Sequence, residues 1–455
     1  MAYEELKALK AEDFMAPNPV LCYGGGGAFE GVAPYLIDCG IHVVGVMDAN
    51  KAGSVTVAGK EFPLLTVQRA MELYGTDVIV MITIADDQVF RQVKQELIEH
   101  GYAGGKIFDL NVWSWLTVPS EKSFCKFFPE YLNLFCSGMA KCCLGGVKDP
   151  FLCENFVGGR PVRESIDCFW EKHLYYLEES KQGRIPLYCR DCPLLTEKPA
   201  EGSGAIKFFG FSDNTYCNAD CAYCGAGCSC PRPQDVTTPE ERMDAFLAML
   251  EKLQRVGLLD RRCAVVLSGG EITVNPHRKT IYAALNRVLH RSPEMQLRIY
   301  SNCFLYDPEL ADLLALGTGS FLQCDLDAGT PESYIKVKGF NKFAAVQENL
   351  KKYAQFGTVR LKYIVLPGWN DSPEDYEGIV CLLKELGSEE MELTLENSAA
   401  KGGDRMRVRG AIYAAARLSV LLEKNGIRAV LTPIYWKKEY SPVFQRLCRE
   451  IRALY

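Results

Sequence analysis

The sequence predicts an α/β chain in three parts: a Rossmann-like parallel-sheet domain, a small cysteine-rich module, and a partial (β/α)6 TIM-like barrel. Three observations predict it. Residues 17–110 alternate apolar runs of strand length with amphipathic helical runs. Residues 119–203 lose that rhythm and gather eight cysteines. From residue 204 on, strand and helix alternate again through six repeats. Continuous apolar strands between amphipathic helices belong to parallel sheets covered on both faces. At 455 residues the chain exceeds one ordinary core, and the expected divisions are 1–118, 119–203 and 204–455.

In the first part "PVLCYG" runs into "GGGGAFEG", and a helical stretch leads to "HVVGVMD". "TVQRAMELYG", "DVIVMITI", "DDQVFRQVKQELIEHG" and "KIFDL" continue the alternation. Glycines after the first strand and Asp48 closing the second fit a Rossmann-like half. Counted from Gly24 and Gly26, the third glycine of the fingerprint falls on Phe29. Two readings stand: a nucleotide or nucleotide-sugar site with Asp48 near a ribose, or a scaffold whose glycines make a tight turn.

The barrel strands are expected at "AIKFFGF", "CAVVLSG", "QLRIYSN", "SFLQCDLDAG", "VRLKYIVL" and "MELTLEN". Helices such as "TPEERMDAFLAMLEKLQRVG" and "SPEDYEGIVCLLKELG" lie between them, several opening on Ser, Thr, Asp or Asn and several closing at Gly. In such a barrel the site lies at the C-terminal ends of the strands.

Composition narrows the function. A net charge of −6 argues against a general nucleic-acid binder. "MAYEELKALKAEDF" has no apolar secretory core, and "DVIVMITIA" is too short to span a bilayer. A cytoplasmic protein without membrane attachment is expected. There the 20 cysteines are thiols, buried or ligating, and not disulfides. With five histidines and neither HExxH nor a zinc-finger pairing, any metal would rest on thiolates.

"NTYCNADCAYCGAGCSC", residues 214–230, follows the first barrel strand, at the expected active face. Cys217, Cys221 and Cys224, spaced x3 and x2, bring three thiolates together on one turn. Three thiolates fit three corners of an iron–sulfur cubane, where a closed electron-transfer cubane takes four, so one iron stays open. Zinc held by these three with Cys228 or Cys230, and a ferredoxin-like cluster using Cys221, Cys224 and Cys228, remain alternatives.

CxxxCxxC with an aromatic, Tyr223, before its last cysteine resembles the signature of the radical S-adenosylmethionine superfamily. "LSGGEI" at 267–272 resembles that superfamily's GGE motif, and "YSNC" its TNG. "CDLDAGTPESYIKVKG" is similar to its "SLDAGTPETY" stretch, and "LKYIVLPGWND" to its fifth strand and following loop. The resemblance spans 204 to about 400, in the family's order.

The resemblance implies that Cys217, Cys221 and Cys224 bind a [4Fe–4S] cluster whose open iron chelates S-adenosylmethionine. Its reductive cleavage yields a 5′-deoxyadenosyl radical that abstracts a substrate hydrogen, and the electron comes from a reductant such as flavodoxin or ferredoxin. The resemblance assigns Ser268, Gly269, Gly270, Glu271, Tyr223, Asn302, Asp325 and Asp327 to the cofactor, with Glu271 accepting from the methionine ammonium. Strand alternation places Gln323, Asp325 and Asp327 on one face, toward the barrel mouth.

"FCSGMAKCCLGG" and a final "YCRDCP" resemble the SPASM or twitch modules that accompany many of these enzymes. That match implies a second iron–sulfur cluster on Cys136, Cys142 or Cys143, Cys189 and Cys192; zinc suits two cysteine clusters equally. The module implies a peptide substrate and the first domain a sugar or nucleotide-sugar. The competing class is a non-catalytic iron–sulfur or zinc protein that docks partners through its Rossmann-like half.

Overall fold

The computed structural model describes residues 9–84, 87–109, 112–125, 130–135, 140–141, 162–192, 194–198, 205–212, 216–224, 239–396, 405–431, 436 and 440–454. The chain divides into two compact units. One comprises Met1–Pro129, Ser137–Gly204 and Val236–Thr238; the other comprises Glu130–Cys136, Ala205–Asp235 and Pro239–Tyr455.

The first unit holds β1 (Val20–Tyr23), α1 (Gly27–Cys39), β2 (Val43–Met47), β3 (Gly53–Val57), β4 (Lys60–Leu65), α2 (Val67–Tyr74), β5 (Ile79–Ile82), α3 (Asp87–Glu99) and β6 (Ile107–Asp109). The strand order is β3-β4-β2-β1-β5-β6. All neighbours are parallel except the β3–β4 hairpin. The order therefore reverses at β1, which pairs β2 on one side and β5 on the other. Leu21, Met47, Val80, Ile82, Leu97 and Ile107 form the core against this sheet. Phe29 is fully buried and meets Phe62 edge-on at 5.4 Å, filling with an aromatic ring the place where a third glycine was counted. Asp48 does not project freely: its carboxylate accepts from Gly25 N at 2.8 Å and from Asn50 N at 2.9 Å.

The stretch expected as a separate cysteine-rich module is shared between the units. β7 (Thr117–Pro119) pairs antiparallel with β11 (Arg184–Pro186), and β8 (Phe124–Cys125) with β12 (Leu195–Thr196). Between them lie β9 (Tyr131–Phe135), a short strand β10 (Ala140–Lys141) and α4 (Val162–Lys181). An Arg184–Glu179 ion pair at 2.9 Å ties the end of α4 to β11, and Arg190 donates to the Cys39 carbonyl at the end of α1. β9 instead belongs to the second unit.

That unit is a sheet of β9, β13 (Ile206–Ser212), β14 (Leu259–Ser268), β15 (Gln296–Tyr300), β16 (Phe321–Asp325), β17 (Thr358–Val365), β18 (Glu390–Leu395) and β19 (Arg428–Leu431), in that order. Every one of these neighbours is parallel. The six expected strands are β13 to β18. Helices α5 (Pro239–Arg255), α6 (Arg278–Arg291), α7 (Pro308–Leu316), α8 (Pro331–Lys338), α9 (Phe343–Tyr353), α10 (Pro373–Glu385), α11 (Arg405–Lys424) and α12 (Tyr440–Ala453) intervene or follow. The caps explain where several begin: Asp307, Thr330 and Ser372 accept main-chain N–H groups at the starts of α7, α8 and α10, each with proline in the first turn. α6 buries Ile281, Leu285, Val288 and Leu289, a stripe at helical spacing, each contributing about 1.5–3 kcal/mol of apolar burial. Among the described residues no helix is long and apolar enough to cross a membrane.

Candidate active site

A pocket opens at the C-terminal ends of β14, β15 and β16. Cys217, Cys221 and Cys224 all line it, facing the strand-end segments Ser268–Gly270 and Tyr300–Asn302, with Asp325 and Lys338. The space between these residues, open solvent included, is about 860 Å³.

Three tethers hold the cysteine loop. Tyr216 O accepts from Glu271 N at 2.6 Å. Asn218 Oδ1 accepts from Asn302 Nδ2 at 2.7 Å. The third is the last turn of α8, where the carbonyls of Val337 and Lys338 accept the N–H groups of Ala222 (2.9 Å) and Asp220 (3.2 Å). The final carbonyls of a helix lack partners within it, and the loop supplies them. Gly339 makes this approach possible. It closes α8 at φ +78°, and a Cβ there would meet Asp220 at 3.0 Å.

Beside this contact lies a buried triad. Tyr223, inside the cysteine loop, donates to Asp327 Oδ2 at 2.5 Å. Lys338 Nζ donates to the same oxygen and to Tyr223 Oη, both at 2.6 Å. The Lys338 side chain is 3 % exposed and that of Asp327 0 %. Asp327 Oδ1 accepts Ile364 N at 2.7 Å, anchoring the group to β17. Burial alone would pull the Lys338 pKa down; Asp327 and the nearby Cys221 outweigh it and hold the ammonium charged, above the usual lysine range. Burial pushes the Cys221 thiol up to about 11, with Lys338 acting against it.

Glu271, expected to accept from a methionine ammonium, accepts five hydrogen bonds from the chain's own donors. It is buried and does not line the pocket. Its Oε1 accepts from Thr273 N (3.0 Å), Thr273 Oγ1 (2.7 Å) and Ser301 Oγ (3.0 Å), and its Oε2 from Ser301 Oγ (3.0 Å) and Asn302 N (2.6 Å). The carboxylate joins the ends of β14 and β15 and sets Asn302 on the pocket wall. Burial raises its pKa, against those hydrogen bonds.

Asp327 departs from strand alternation. β16 ends at Asp325, and Asp327 stands beyond it at φ +57°, so its side chain turns to Lys338 and not to the pocket. Asp325 does line the pocket, paired to Lys362 at 2.8 Å, and its Oδ1 has no hydrogen-bond partner of ordinary geometry. Lys338, Tyr300 and Ser301 line or build the pocket without having been singled out from the sequence. For Lys338 a signal existed: it shares the buried face of α8 with Tyr334, where a lysine is out of place.

Cys189 and Cys192 lie in the first unit, half-buried in one tight turn closed by Cys192 N donating to Cys189 O at 3.0 Å. Cys136, Cys142 and Cys143, and likewise Cys228 and Cys230, lie outside the described residues. Among the described residues no three His, Cys, Asp or Glu side chains converge as the ligands of a single ion.

The pocket's chemistry fits an iron–sulfur cluster with an amino-acid-bearing cofactor. Thiolates are the ligands iron–sulfur clusters take. Gly269 and Gly270, at φ +74° and +53°, present a wall without side chains, and Asp325 Oδ1 offers an acceptor. Residues 212–380 match the family model of the radical SAM superfamily. This segment is similar to the radical SAM domain. The family implies a [4Fe–4S] cluster and S-adenosylmethionine. No curated protein matches the chain in sequence.

Solved structures similar to this chain include radical SAM proteins. Streptococcus suis SuiB bound to precursor peptide SuiA aligns at a TM-score of 0.40 and 11 % identity, over 58 % of this chain and 54 % of that one. The matched part thus spans about half of SuiB. AnSMEcpe with bound AdoMet aligns at 0.38 and 13 %, over 49 % and 63 %. TsrM from Kitasatospora setae, a radical S-adenosylmethionine methyltransferase with cobalamin and a [4Fe–4S] cluster bound, aligns at 0.33 and 14 %, over 84 % and 72 %.

Proposed function

We propose that this chain is a radical S-adenosylmethionine enzyme acting on a peptide or a sugar-type substrate. The observation that carries it is the placement of three thiols, Cys217, Cys221 and Cys224, on one pocket with the glycine wall at 269–270, inside the segment similar to the radical SAM domain. When bound, the cluster supplies the electron that cleaves S-adenosylmethionine to the radical abstracting a substrate hydrogen. The chain's own residues do the positioning. The three thiols ligate iron. Gly269 and Gly270 let main chain approach the methionine moiety, Asn302 and Asp325 offer polar contacts, and Glu271 orients Asn302 from behind. Sequential parallel strands from β13 to β18 support a partial barrel around the site. The strand order reversing at β1 supports a Rossmann-like first domain. A second cluster on Cys189 and Cys192 with Cys136 and Cys142 or Cys143, and an electron donor of the flavodoxin or ferredoxin kind, complete the proposal.

Anaerobically reconstituted protein should hold about four irons at this site. Reduced with dithionite, it should convert S-adenosylmethionine to 5′-deoxyadenosine. Changing Cys217, Cys221 and Cys224 together to Ala should abolish both. Cleavage surviving in that variant would sink the assignment and favour the non-catalytic metal protein.

A further inference from the structure

We propose that Lys338 is an electrostatic positioning residue for the cluster: a buried cation, held against the cysteine loop by Asp327 and Tyr223, that raises the cluster's reduction potential. This deepens the reading above and rests on it. Lys338 is the only lysine among the buried residues described. A buried ammonium is costly unless it is paired, and Asp327 pairs it. The pairing is asymmetric. Lys338 lines the pocket with Cys221, whereas its counter-ion Asp327 does not and is drawn toward β17 by Ile364 N. The pair therefore forms a dipole with its positive end at the thiols. Tyr223 keeps it so: as a neutral donor it shares Asp327 Oδ2 with Lys338, and its ring lies 5.0 Å from the ammonium. Asn370, donating to the Asp327 carbonyl at 2.8 Å, fixes the carboxylate's backbone in its left-handed turn.

Reducing a cluster adds negative charge beside thiolates that already carry it. Fixed positive charge nearby stabilises the reduced form, because net charge and polarity around a cluster set its potential. The alternative is that Lys338 only holds the loop, a role the main-chain bonds from Asp220 and Ala222 already serve. The two roles are separable by measurement.

Lys338→Met alone leaves Asp327 as a buried unpaired carboxylate, and the protein can fail for that reason. Lys338→Met with Asp327→Asn removes both charges together and is the deciding variant; Lys338→Arg keeps the cation. Iron content and midpoint potential are read by EPR-monitored redox titration of the reconstituted proteins. The expected result is wild-type iron in the double variant with a midpoint shifted to more negative potential, and a midpoint near wild type in Lys338→Arg. An unchanged or more positive midpoint in the double variant overturns the proposal. So does loss of iron from the double variant, which would make the pair a purely structural support. If the wild-type protein itself takes up no cluster, the reading of the site fails and not this inference alone.

Discussion

The main-chain N–H of Ala222 donates to the carbonyl of Val337 at 2.9 Å, seating the cysteine loop on the last turn of α8. The placement of Cys217, Cys221 and Cys224 thus depends on the C-terminus of a helix more than a hundred residues away in sequence. Gly339, which ends that helix, should be sensitive to substitution. Gly339→Ala places a side chain at φ +78° and a Cβ 3.0 Å from Asp220, a cost of about 1–3 kcal/mol from backbone strain alone. The variant should melt lower and take up less iron on reconstitution. A wild-type melting midpoint together with full iron loading would show that the contact is dispensable.

Glu271 should behave as a structural joint. Its two oxygens serve the N–H groups of Thr273 and Asn302 and two hydroxyls. Glu271→Gln puts an amide NH2 against one of these donors, leaving a buried N–H unpaired at a cost of about 1–3 kcal/mol. Glu271→Ala leaves both and should be worse. Thermal unfolding of the metal-free proteins should rank wild type, Gln and Ala in falling order. If instead stability holds and only S-adenosylmethionine binding weakens, the carboxylate faces the cofactor as the resemblance implied.

Asp325 should contribute to acid sensitivity. Burial works to raise its pKa, but Lys362 and Lys338 prevail and hold it below the usual carboxylate value. A depressed folded-state pKa stabilises the protein fully above the unfolded value, near 4, and that contribution is lost as pH falls through the folded one. Denaturant unfolding should therefore show stability falling below about pH 4, with a shallower fall in Asp325→Asn. Equal slopes for the two proteins would mean that Asp325 gains nothing from its lysines.

Cys189 and Cys192 should report whether a second metal is bound, and which. Changing both to Ala should lower total iron while sparing the site at Cys217, Cys221 and Cys224, since the two sets lie in different units. Elemental analysis that found zinc lost and iron unchanged would make the turn a structural zinc site.

What the sequence revealed was what is local. The spacing of Cys217, Cys221 and Cys224 is a short-range property, and so is the strand rhythm that placed β13 to β18. What stayed hidden depends on partners distant in sequence. Strand alternation misplaced Asp327 because alternation holds only while the backbone is extended, and Asp327 has turned left-handed. Lys338 looked like an ordinary basic residue at a helix end, the place where such charges favour the dipole. Only its helical phase with Tyr334 marked it as inward. Glu271 was legible as a motif, but its protein partners were not, because Ser301 and Asn302 come from the next strand. "YLNLF", now β9, carried no sign that it would pair with β13.

That pairing has a consequence for how the chain can be divided. Tyr131 lies beside Phe208, so a strand contributed before residue 136 covers one side of β13, which begins only at Ile206. The two units are interleaved along the chain, and no single cut separates them. A fragment starting near residue 204 would keep the cysteine loop and its helix support yet bare one side of β13. An uncovered strand of that kind invites pairing with another chain. Such a fragment should aggregate where the full chain does not, and adding back residues 130–136 ahead of β13 should restore its behaviour. During synthesis the same arrangement delays closure: β9 emerges early and waits for a partner, Phe208, that follows Tyr131 only after the cysteine-rich stretch has been made.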